Sequence, residues 1–366
     1  MIMRITTGEI TGSMKDDIGT TDVGLYNGFE VSTFRELVEK TAHLSYANKD
    51  ALLFFRGQSN DYKNKSNKST FYPTIYRDEY LTKREIEHKF DILHEASAKL
   101  MDSLKGRTKQ GLEELKRKKY IQWSILQHYE VCGTPFIDFT QSLRVACSFA
   151  LLNNAEEFAY IYVFAMPYIT NRISMNSEHD LIFVRLLSIC PPDALRPYFQ
   201  EGFLAATSDI EADYDQKSEL DFNRRLIFKF RIPNKKEFWG ASFNNIPEDA
   251  LYPDNDAFKS ICEDIQMDVR RELKPGDIGL FLSKWSDIET KVINSANIEG
   301  HQGSFFNALR NLKDLNNWDS SLLNNIDKLR KYRNKLVHEP RDVSSKEIDL
   351  YMDLLHSVKT QIQKIR

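Results

Sequence analysis

Cysteine is scarce in this chain. The four residues Cys132, Cys147, Cys190 and Cys262 are widely scattered and form no Cys-x-x-Cys pair. That spacing argues against a disulfide framework and against a cysteine-based zinc site, and it predicts reduced thiols in a cytoplasmic setting with no metal centre. Long apolar runs are missing as well. No stretch reaches the roughly 18 consecutive apolar residues of a membrane span, and Met1 to Gly19 lacks the apolar core of an export signal. No membrane partner is therefore expected. Excess positive charge is also absent: the formal net charge is −3, so any attraction to nucleic acid must come from local patches.

What is present is ordinary for a globular protein: 41% hydrophobic and 28% charged residues over 366 positions. That length allows two domains and a core that needs no covalent staples. The most informative stretch is Ala51-Leu52-Leu53-Phe54-Phe55-Arg56-Gly57-Gln58-Ser59. Its apolar run reads as an inner strand that delivers a permanently charged, forked cation to its own mouth. Gly57 leaves room there for backbone or a ligand. Arg56 either pairs with a carboxylate at the core edge or holds an anionic ligand.

Before that strand, Thr33-Phe34-Arg35-Glu36 fits a capping box. Phe34, Leu37, Val38, Thr41 and Leu44 share one face of a helix over about 33–45. After it, Gln58 to Thr70 reads as a mobile polar loop exposing Lys63, Lys65 and Lys68. Helical spacing runs from Glu79 to Tyr120 and ends in Lys116-Arg117-Lys118-Lys119, which either solvates a helix end or meets RNA phosphates. The segment from Ile125 to Ala150 then reads as a helix end, a turn, a strand over 136–139 and a helix capped by Thr140 or Ser142. Polar side chains gather at its seams: Gln127 and His128 before the turn, Asp138 and Thr140 after the strand. His128 suits either a half-buried hydrogen-bonded imidazole or a base, and Asp138 either a cap or a ligand contact. Further strands are expected over 159–165, 181–187, 203–206 and 226–232, with a Gln200-Glu201-Gly202 turn between.

Past Lys274-Pro275-Gly276 the pattern becomes purely helical, with helices expected near 277–294, 303–314, 319–338 and 344–365. The organisation is therefore α+β, with an N-terminal segment 1–31, a mixed-sheet domain 32–272 and an all-α domain 275–366.

The ordered set Phe55-Arg56-Gly57-Gln58, Pro73-Thr74-Ile75-Tyr76-Arg77, Gln127-His128-Tyr129, Asp138-Phe139-Thr140, Gln200-Glu201-Gly202-Phe203 and Leu251-Tyr252-Pro253-Asp254 resembles the FRG domain family over roughly 32–270. That family in turn resembles the arginine-serine-glutamate branch of the ADP-ribosyltransferase fold. The resemblance implies NAD as substrate, held by Arg56 with Gln58, Gln127, His128, Asp138 and Thr140 around it. Gln200 or Glu201 would stand in the third catalytic position, with Glu219 another candidate. It implies a toxin or phage-defence effector that transfers ADP-ribose to a macromolecule, nucleic acid such as RNA or protein, and that an antitoxin or regulatory protein restrains. In the helical domain, Arg333 to His338 resembles the HEPN motif. This implies either a metal-independent ribonuclease using Arg333 and His338, with the FRG domain as sensor, or a homodimer through the C-terminal helices. A non-enzymatic binding module is the third possibility.

Overall fold

The computed structural model describes residues 22–77, 83–105, 112–176, 180–207, 217–269, 275–296, 305–314, 318–338, 343 and 345–364. The expectations placed on 1–21, on the start of the helix at Glu79 and on Lys274 lie outside those residues. The chain divides into two compact units, one up to Ile265 and one from Gln266 onward.

The first unit is built on eight strands: β1 (Phe29–Glu30), β2 (Leu52–Gln58), β3 (Ile137–Thr140), β4 (Phe158–Met166), β5 (Ile173–Asn176), β6 (Leu181–Arg185), β7 (Gly202–Thr207) and β8 (Leu226–Pro233). They lie in the order β1-β8-β4-β2-β3-β7-β6-β5. The β1–β8 pair is parallel and the other neighbours are antiparallel. The architecture is thus a mixed α+β sheet unit, as the mingled patterns predict. Helices α1 (Phe34–Ala47), α2 (Lys83–Ser103), α3 (Leu112–Arg117), α4 (Lys119–His128), α5 (Leu143–Leu151), α6 (Arg196–Phe199), α7 (Glu248–Leu251) and α8 (Ala257–Val269) accompany it.

Local chemistry explains the boundaries. Thr33 caps α1 by accepting from the Glu36 amide at 3.2 Å, while Glu36 reaches back to the Ser32 amide at 2.9 Å. Phe34, Leu37, Thr41 and Leu44 are buried as expected, but Val38 is 40% exposed because it lies off the inward stripe. Ser142, rather than Thr140, caps α5, accepting from the Val145 amide at 3.4 Å.

On one sheet face α1 and α5 cover Phe55, Ile161, Val163 and Phe230. Gly57 makes the closest approach possible: a β-carbon there would fall 1.9 Å from the Ala146 carbonyl oxygen. It is therefore α5 backbone, not a ligand, that Gly57 admits. The other face is an aromatic core in which Phe54 meets Phe183 and Phe203 at 4.9 and 5.0 Å between ring centroids. Tilted and edge-on pairs of this kind add to the area they bury.

The segment after β2 is tied down more firmly than its composition suggests. Lys229 of β8 has a fully buried side chain. Its ammonium donates to the Tyr26 carbonyl at 2.6 Å, to Ser69 Oγ at 2.7 Å and to Asp61 Oδ2 at 2.8 Å. Tyr162 donates to the same carboxylate at 2.9 Å. Burial pushes the Asp61 carboxyl up, but the bonds from Lys229 and Ser69 outweigh it and leave Asp61 below its ordinary value. Lys68 pairs with Asp22 at 2.7 Å and Lys63 approaches Asp61 at 3.6 Å, and both are half-buried, whereas Lys65 is exposed.

The second unit is helical: α9 (Pro275–Ser295), α10 (Phe305–Asp314), α11 (Ser320–His338) and α12 (Ser345–Lys364). Phe281, Trp285, Ile288, Leu329, Leu336 and Leu355 form its core. Tyr332 of α11 and Tyr351 of α12 stack with centroids 3.8 Å apart and planes within 4°.

Candidate functional site

The β2–β4 ladder runs through seven pairs, from Leu52 against Met166 to Gln58 against Tyr160. On its other edge β2 is registered with β3 at a single pair, Phe55 against Thr140. Beyond that pair the β2–β3 ladder stops, and Arg56 bridges the gap. Its Nη1 donates to the Asp138 carbonyl at 2.7 Å and lies 4.0 Å from the Asp138 carboxylate. Burial pulls the Arg56 guanidinium below its ordinary value and Asp138 offsets part of that, leaving it a cation.

Asp138 gathers the neighbouring groups. Gln127, at the end of α4, donates from Nε2 to Oδ2 at 2.8 Å, and His128 Nδ1 lies 3.7 Å from Oδ1. Thr134 fixes the other end of the Gln127 amide by donating to Oε1. Burial pushes the Asp138 carboxyl up, yet the His128 bond, Arg56 and Gln127 outweigh it, so it lies below its ordinary value. The carboxylate is nevertheless 41% exposed at its side chain, whereas the His128 side chain is 5% exposed. The imidazole is pressed against Gly202, where a β-carbon would lie 3.3 Å from its Cε1.

Three buried polar atoms around this point have no hydrogen-bond partner among the described residues: Arg56 Nε, Gln58 Oε1 and His128 Nε2. An unpaired buried donor or acceptor costs about 1–3 kcal/mol, so a ligand that supplies partners binds with that much in its favour.

Thr140 donates to the Glu201 carbonyl at 3.3 Å and accepts from the Ser142 amide at 3.1 Å. Glu201 stands in the left-handed region at φ 45 with its side chain exposed. Gln200 is buried and its amide donates to the Leu251 carbonyl at 2.8 Å. Arg56, Gln127, His128 and Asp138 are thus joined by direct contacts, and Thr140 links them to the turn bearing Glu201. Gln200 serves the backbone of α7 instead. Glu219 lies elsewhere, in a short turn whose carbonyl accepts from Arg224 at 2.8 Å.

Two supporting residues escape a reading of the sequence. Arg196 is held between the rings of Tyr129 and Tyr252, 5.0 Å from each centroid, and donates to the His128 carbonyl at 3.3 Å. Asp256 accepts from the Tyr129 hydroxyl and from the amides of Leu195 and Arg196, and its second oxygen accepts from Phe258. Both were signalled only as charges beside aromatic residues, a pattern shared by many surface positions.

The basic cluster is largely occupied. Lys116 pairs with Glu113 at 3.1 Å, and Lys119 lies over the Trp123 ring at 4.9 Å. In the helical unit, α11 runs without interruption from Ser320 through His338. Five positions at about 100° each set Arg333 and His338 roughly 140° apart around its axis. Arg333 donates to its neighbour Asn334 at 3.1 Å, and His338 is exposed. Within one chain the two do not share a helix face. Glu339 and Pro340 lie outside the described residues.

No curated protein and no solved structure matches this chain. Residues 51–158 match the family model of the FRG domain. That span contains β2 with Arg56, the Gln127–His128 end of α4 and β3 with Asp138 and Thr140, and it is over these residues that the chain is similar to the FRG domain family.

Proposed function

We propose that the sheet unit binds NAD at Arg56 and transfers its ADP-ribose to a macromolecular target, nucleic acid such as RNA or protein, as a toxin or phage-defence effector does. The observation that carries this reading is the Arg56 guanidinium at the gap between β2 and β3, with Nε buried and unpartnered beside the equally unpartnered Gln58 Oε1. A diphosphate oxygen supplies the acceptor that Nε lacks, in a charge-assisted bond. A ribose hydroxyl supplies the donor that Gln58 lacks.

In the transfer the glycosidic C–N bond breaks and nicotinamide leaves with its electron pair. A lone pair of the acceptor forms the new bond to the same carbon, and the acceptor's proton passes to a base. Glu201, exposed beside Thr140, offers a carboxylate for the positive charge that develops and for that proton. Gln200, committed to Leu251, offers neither.

The test is incubation of the protein with labelled NAD and cell lysate, with Arg56→Ala and Glu201→Gln alongside. Label on RNA, DNA or protein that depends on both residues supports the reading. Absence of label together with absence of NAD binding removes it.

A further inference from the structure

We infer that Arg77 is a second cation of the Arg56 site and that the two guanidinium groups together take the diphosphate of a nucleotide ligand. This rests on the reading of that site as nucleotide-binding, and it adds a residue which that reading does not use.

The backbone before Arg77 is sewn to the residues that hold Asp138. The turn Thr74–Tyr76 receives no side-chain cap of its own. Instead the Ile75 amide donates to the Thr134 carbonyl at 3.2 Å, and the Thr134 amide donates to Thr74 Oγ1 at 3.0 Å. Thr74 Oγ1 also meets Gln127 Oε1 at 3.4 Å, and the same Gln127 side chain holds the Asp138 carboxylate through its nitrogen. Gly133 completes the seam: a β-carbon there would touch the Ile75 backbone at 3.4 Å. Ile75 and Tyr76 are almost fully buried, which fixes the direction in which the chain leaves the turn.

Arg77 is the next residue, and it is exposed. Its Nε donates to the Tyr72 carbonyl at 3.3 Å, which aims the guanidinium, and among the described residues its two terminal nitrogens make no hydrogen bond. Among the described residues no carboxylate pairs with it. It is also near enough to Arg56 to lower that group's proton affinity, after the larger effect of burial.

The partly exposed Asp138 carboxylate meets Arg56 at 4.0 Å, and the turn that carries Arg77 is bonded to Thr134 and to Gln127, the residue that donates to that carboxylate. Two like charges held close by packed backbone repel each other, and an anion between them relieves the repulsion. Each planar fork suits a pair of phosphate oxygens, so two forks suit two linked phosphoryl groups better than one. The ligand class is thus a diphosphate ester, and a nucleoside without phosphate lacks the feature recognised.

Calorimetric titration of the full chain with ADP-ribose and with inorganic pyrophosphate tests this, using Arg77→Gln and Arg77→Lys. Arg77 is exposed, so folding is expected to survive both changes. Arg77→Gln should weaken both ligands by about tenfold or more, the loss of one charged hydrogen-bonding partner, and Arg77→Lys should restore part of that loss. Affinity of Arg77→Gln within about twofold of wild type for both ligands, or failure of wild type to bind either, overturns the inference. The two readings separate cleanly. Arg77-dependent pyrophosphate binding without NAD turnover keeps the diphosphate clamp and removes the transferase. Turnover that is unchanged in Arg77→Gln keeps the transferase and removes the clamp.

Discussion

Each unit of this protein carries an arginine and a histidine that suggest chemistry, and the two pairs behave in opposite ways. Arg333 and His338 are near neighbours in sequence on one helix, and the helix turns them apart. Arg56 and His128 are far apart in sequence on a strand and a helix end, and Asp138 draws them together, 4.0 Å from one and 3.7 Å from the other. Closeness along the chain is weak evidence for a site when helical geometry intervenes. Convergence of separate segments on one partly exposed carboxylate is stronger evidence, because several elements must agree to produce it.

The units also differ in what holds them. The helical unit relies on an apolar core that includes Tyr332, on which the partly buried Tyr351 stacks. The sheet unit adds a buried polar lock, Lys229 with Asp61, Ser69 and the Tyr26 carbonyl, below the segment that follows Arg56.

The sharpest way to break this contrast is to remove the lock. Lys229→Met leaves the buried Asp61 without its ammonium partner, and urea unfolding should register a loss of about 3–5 kcal/mol in the sheet unit. A loss below about 1 kcal/mol would mean that the lock is ornamental. Next is Gly57→Ala, whose added carbon collides with the α5 backbone. It should cost about 3 kcal/mol or more in the same experiment, since neither β2 nor α5 can yield cheaply. Then comes Arg56→Gln, expected to leave the fold intact and to weaken NAD by about a hundredfold, as befits a charge-assisted pair. NAD binding of wild-type strength in that variant would dissolve the comparison.

Acid sharpens it further. Asp61 and Asp138 both have folded pKa values below the ordinary 3.8. Each therefore contributes stability that is fully present above that value and is lost as pH falls through the lower folded one. Below about pH 4 the sheet unit should lose stability with a slope that Asp61→Asn flattens. A slope unchanged by that substitution would count against the lock. The smallest effect belongs to His338→Ala: exposed at a helix end, it should shift stability by no more than about 0.5 kcal/mol and leave NAD transfer as it was.

Much of the fold was legible because the strands are written in apolar runs. β2, β4 and β8 follow from Leu52–Phe55, Ala159–Ala165 and Leu226–Ile232, and the four C-terminal helices from their spacing. The edge strand β5, Ile-Ser-Met-Asn, carries no such run and is half exposed, so nothing in its composition separates it from a loop. α8 went unread although its inward stripe includes Phe258, Ile261, Cys262 and Ile265.

At the site, Arg56 and Asp138 could be read as polar residues at strand ends. Their alliance could not, because it depends on a ladder of a single pair between β2 and β3, which only the folded sheet reveals. Lys229 was the clearest missed signal. A charge between Phe228 and Phe230 in a strand buried on both faces requires a buried partner, and Asp61 lay in a stretch that composition marks as solvated.

On the proposed reading, Arg56 meets a nucleotide with Nε, the donor that the described residues leave unused. A crystal structure of the chain soaked with NAD tests it most directly. A diphosphate oxygen is expected within hydrogen-bonding distance of Arg56 Nε, with the ribose beside Gln58 and the nicotinamide end toward Thr140 and Glu201. NAD bound elsewhere, or a fully loaded crystal in which Arg56 still touches only Asp138, would contradict it.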